Sequence, residues 1–108
     1  MSDELSKSMK RKLRDFAAKV YEIEMRTHLS ELARSFNEWN ARKLDSFQLD
    51  NLIHKYHNEK SRESYKAYNG LDPKMFIARA VGFGIIKQEE IPDEFREYVM
   101  KLVEILKE

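Results

Sequence analysis

Asp50, His54, His57, Ser61 and Tyr65 are the densest set of chemically capable side chains in the sequence. Their spacing of four, three, four and four places them on one stripe of an α-helix. Imidazole and carboxylate groups one turn apart can share a divalent cation, and helical-bundle metal sites use similar steps. Glu24 and His28 form a second such pair upstream. If the chain folds back near Leu44, His28 and His57 stand near one level. Asp50, His54, His57, His28 and Glu24 then make a candidate metal set. The competing reading is simpler: polar residues one turn apart are what a solvated helix face looks like, and three histidines are ordinary.

A second candidate is basic. Lys7, Arg11 and Arg14 share one helical face and could grip phosphates. No aromatic residue is interleaved with them, so base stacking is not suggested. A helix-turn-helix over Leu29 to Leu52 lacks the glycine turn. Gly82-Phe83-Gly84 has neither the spacing nor the strand of a phosphate loop. No residue stands out as catalytic, and no cofactor other than a divalent metal is suggested.

The third candidate is apolar. Leu5, Met9, Leu13, Phe16, Ala17, Val20 and Tyr21, then Met25, Leu29, Leu32, Ala33, Phe36 and Trp39, recur mostly at steps of three and four. That is one buried face of a helix. We expect one helix from about Asp3 to Arg42, with a drift in phase near Thr27 and with residues 1–6 frayed. A helix of about 38 residues is about 57 Å long. A second helix, from about Ser46 to Tyr68, covers only about 35 Å of it. Leu13, Val20, Tyr21, Phe36 and Trp39 are therefore expected in an interface, with a second copy in a dimer or with another helical protein.

The elements that position these residues are set by sparse punctuation. The 108 residues contain three Gly and two Pro, and neither type occurs between Asp3 and Asn69. Asp45 precedes Gln48 by the spacing of a capping box, with Ser46 as a competing cap. The second helix carries Leu49, Leu52, Ile53 and Tyr56 on one side, then Tyr65 and Tyr68 on another. Asn69-Gly70 stops it. Asp72-Pro73 opens a third helix, apolar on most sides and so deeply buried. Pro92 opens a fourth, with Asp93 and Glu94 in its first turn.

The expected fold is all-α: one domain over 1–108, a long antiparallel helical hairpin with two shorter C-terminal helices, four in total. The formal net charge of +1 argues against a dedicated polyanion binder. The absence of cysteine excludes disulfides and thiolate metal sites. No run approaches the roughly 20 apolar residues of a membrane span, and we expect a cytoplasmic protein. Residues 1–14 carry five basic and two acidic groups, and residues 87–108 carry four basic and seven acidic groups. These opposite ends could pair between chains. The function this pattern suggests best is a helical interaction or self-association module. A metal-binding protein or small enzyme on the histidine face, and a nucleic-acid accessory protein, are the alternatives.

Overall fold

The structure, a computed structural model, describes residues 6–107. Helix α1 spans Lys7–Asn40, α2 Ser46–Lys55, α3 Arg62–Gly70, α4 Pro73–Gly82 and α5 Asp93–Lys107. Between α2 and α3 the helix continues through a π turn, Tyr56–Ser61. A short 3₁₀ turn, Gln88–Glu90, precedes α5. No strand occurs among the described residues, so the fold is all-α. The expected start at Asp3 and the fraying fall largely on residues 1–5, outside the described residues. Ser6 itself is the N-cap of α1, its hydroxyl accepting from the Met9 N–H at 3.1 Å.

The caps follow from local chemistry. Asp45 and Gln48 form the reciprocal box: each side chain accepts from the other's backbone N–H, at 2.8 and 2.9 Å. Ser46, the competing cap, instead accepts from the Trp39 indole N–H at 3.1 Å and helps close the turn. Asp72 caps α4, accepting from the Lys74 N–H at 3.0 Å. Helix α1 ends on Arg42 in the left-handed region, φ 63°. There the Lys43 N–H donates to the Glu38 carbonyl and the Arg42 N–H to that of Trp39. This is the paired closure that normally carries glycine at the left-handed position. Gly84, φ 76°, fills that position at the end of α4.

The π turn explains the change of side noted within the second helix. Residues turned away from solvent include Leu49, Ile53, Tyr56, Ser61, Ser64, Ala67 and Tyr68. One step is five residues where an α-helix takes three or four. A π turn holds the extra residue and keeps both halves of the rod against α1. Trp39 meets Ser46, Glu24 meets Ser64, and Tyr21 stacks on Tyr68. Contacts that separate in opposite directions along the two segments mean that the rod runs antiparallel to α1.

The core lies at the end of the molecule away from this turn. Leu13, Ala17 and Val20 of α1, Phe76, Ile77, Ala78 and Ala80 of α4, Phe95, Val99 and Val103 of α5, and Ile86 and Ile91 form one buried cluster. Tyr21 and Tyr68 stack at 4.4 Å, and both make T-shaped contacts with Phe76. Each such aromatic pair contributes about 0.5–1.5 kcal/mol beyond burial.

This arrangement corrects the expectation of an interface at Leu13 and Val20. Both are buried by α4 and α5 of the same chain, and Tyr21 is half-buried against Tyr68 and Phe76. Lys12 pairs with Glu94, so the basic start and the acidic C-terminal part meet within one chain.

Beyond Glu24, no residue of α1 is fully buried. The 59 Å length of the molecule therefore divides into a four-helix core and a two-helix arm. The arm consists of the second half of α1, the turn and α2.

Candidate functional site

The most concentrated polar chemistry lies where the arm leaves the core. On α1 the stripe Leu13, Ala17, Val20 continues to Glu24, which is 1% exposed. A carboxylate at a core position needs cationic and hydrogen-bonding partners. Arg79, the lone charge in the apolar middle of α4, supplies them. Its two terminal nitrogens donate to Oε1 at 2.9 Å and Oε2 at 3.1 Å. Ser64 of α3, also buried, donates its hydroxyl to Oε2. The Arg79 guanidinium lies over the rings of Phe76 and Phe83, at 5.4 and 5.0 Å. Cation–π attraction thus holds it in place while it pairs.

Burial alone pushes the Glu24 carboxyl up. Hydrogen bonds from Arg79 and Ser64, followed by the charges of Arg79 and His28, outweigh burial and hold it below its ordinary value. His28, one turn on, has Nε2 3.8 Å from Glu24 and Nδ1 3.7 Å from Glu31. Both separations exceed hydrogen-bonding distance. A cleft of about 520 Å³ opens beside the cluster, and Glu59, Lys60, Glu63 and Phe83 also line it.

The chemistry available to the cluster is limited by its own completeness. A general base needs a pKa near its working pH, and Glu24 is held ionised by three donated hydrogen bonds. The Ser64 hydroxyl donates to a carboxylate rather than to an imidazole, so it lacks the usual activation of a nucleophile. The cluster ties α1, α3 and α4 together at the base of the arm. It is a clamp.

The candidate metal set does not assemble. His54 Nε2 stands 3.5 Å from Asp50 Oδ2, both largely exposed on α2. His57 is exposed in the π turn, Glu24 is bonded into the clamp, and His28 lies beside it at 3.8 Å. Among the described residues, no three histidine, aspartate or glutamate side chains come together to hold an ion. The reason is the phase of the hairpin: Asp50 and His54 face solvent while Glu24 faces α4. Lys7, Arg11 and Arg14 are all exposed near the start of α1, at the core end of the molecule.

Sequence reasoning missed Arg79 and Ser64 as partners of Glu24. The available signal was positional. Glu24 continues a core stripe, and Arg79 interrupts an apolar helix, so each needed an opposite charge.

Part of the arm's apolar surface remains uncovered. Leu29 is 49% exposed, Phe36 40%, Trp39 38% and Phe47 85%. Leu29, Ala33 and Phe36 follow one another at four and three residues and form a stripe beside the seam with α2. Leu52 is exposed on α2. No helix among the described residues is long and apolar enough to cross a membrane. No family model matches the chain, and no significant match is found among curated proteins or solved structures.

Proposed function

We propose that the chain is a helical interaction module that docks an apolar helical partner on its two-helix arm. One observation carries this reading. The same helix, α1, is covered by α4 and α5 along Leu13, Ala17 and Val20, and is left bare along Leu29 and Phe36. Contiguous exposed apolar surface marks interaction sites. Aromatic side chains such as Phe36, Trp39 and Phe47 are enriched where binding energy concentrates. The clamp at Glu24 supports the same reading, because it fixes the base from which the arm projects.

The experiment is site-specific photo-crosslinking in cells. A benzoylphenylalanine at position 36 is expected to give discrete protein adducts, and one at position 101, an exposed site on α5, none. Adducts absent at 36, or equal at both positions, would remove the docking reading.

A further inference from the structure

The arm is an antiparallel helix pair that leaves one apolar stripe of α1 bare. Two antiparallel helices share one seam through Leu32, Leu49 and Ile53, with a second apolar stripe, Leu29, Ala33 and Phe36, beside it. An up-and-down bundle closes when a second antiparallel pair covers such a stripe. From this geometry, and resting on the docking reading above, we infer that the occupant is a second copy of this chain, arm against arm about a two-fold axis.

Charge favours this occupant. An isologous contact sets a patch against itself, so a patch of one sign repels its copy. From Met25 to Lys55 the sequence holds five basic and four acidic side chains. The arm is thus close to neutral, with both signs interspersed. A strongly charged partner would find no complement there, whereas a copy meets no net repulsion.

Size sets the strength. Sixteen residues of α1 beyond Glu24 span about 24 Å at 1.5 Å per residue, and two adjacent helices are about 20 Å wide. The footprint is then about 480 Å² per copy, or about 1,000 Å² for the pair. That is the small end of specific interfaces, where transient contacts lie, so the dimer forms reversibly.

Trp39, the single tryptophan, stands on the arm and reports on it directly. The test is sedimentation velocity from about 1 to 200 μM, with Trp39 emission recorded over the same range. The expected result is a monomer–dimer transition accompanied by a blue shift of the emission. Leu29→Lys with Phe36→Lys should abolish both, with unchanged far-ultraviolet dichroism showing that the fold is intact.

A monomer at every concentration would overturn the second copy. So would a dimer that leaves Trp39 emission unmoved or survives the double substitution. Crosslinks from position 36 separate the two readings. An adduct of twice the chain mass supports both. An adduct of any other mass keeps the docking surface and removes the second copy. No adduct removes the docking surface.

Discussion

Replacing Arg79 with Met should reveal how much the clamp at the base of the arm contributes. Methionine keeps most of the stem's volume but leaves Glu24, 1% exposed, without its cation. Two charge-assisted hydrogen bonds vanish, at 2.9 and 3.1 Å, and the Ser64 donor remains. Removing one partner of a buried pair costs about 3–5 kcal/mol. With Ser64 still donating, the expected cost is near the lower end, about 3 kcal/mol. For a domain of this size that lowers the melting temperature by on the order of 10 °C or more.

The pH dependence carries the sharper signature. In the parent protein the Glu24 carboxyl lies below its ordinary value near 4.5. Its contribution is therefore present above that value and is lost as pH falls through the lower, folded one. In Arg79→Met burial dominates and the folded carboxyl shifts upward. The variant should then recover stability relative to the parent as pH falls from 7 toward 5. The doubly substituted Glu24→Leu, Arg79→Met protein should be more stable than the single variant, since no charge is left unpaired. Urea unfolding at pH 7 and pH 5 measures all three. A single-variant loss below about 1 kcal/mol, the worth of an exposed pair, would refute the reasoning. A loss that grows on acidification would refute it as well.

Three further outcomes follow from other parts of the molecule. Arg42→Gly should raise stability by about 0.5–1 kcal/mol, because glycine removes the left-handed strain at the end of α1 at some entropic cost; urea unfolding that shows a loss would mean that the Arg42 side chain compensates for its backbone. Val20→Asp should unfold the chain by circular dichroism rather than weaken an assembly, because Val20 is fully buried among α4 and α5; a folded variant would contradict the described core. Zn²⁺, Mn²⁺ and Ni²⁺ should leave the melting temperature of the parent and of His57→Ala equal, since Asp50 and His54 offer only two neighbouring donors; a metal-dependent rise lost in His57→Ala would restore the metal reading.

Elements with a local cause were legible in the sequence. Asp45 with Gln48, Asp72 with Pro73, and the uninterrupted periodicity of α1 each act within a few residues. Periodicity also marked Leu13 and Val20 as buried, but it cannot say by what. Their covering helices lie more than fifty residues away, and the same stripe reads alike under α4 and on the bare arm. The clamp was half visible. Local spacing pairs Glu24 with His28, while its decisive partner lies 55 positions on, beyond any local pattern. The left-handed Arg42 was hidden for a different reason, since the position is set by closure of the turn and not by the residue that fills it.

The π turn gives the second rod one residue more than its seam with α1 requires. Loss of one residue from 57–60 would turn the five-residue step into a four-residue one. Leu49, Ile53 and Tyr56 would then keep their places opposite α1, and Ser61, Ser64 and Tyr68 would keep theirs. Elsewhere in this rod a one-residue deletion rotates everything beyond it by about 100° and carries Ser64 and Tyr68 off the seam. Residues 57–60 are therefore where chains of this fold can differ in length by one residue without remaking their interior.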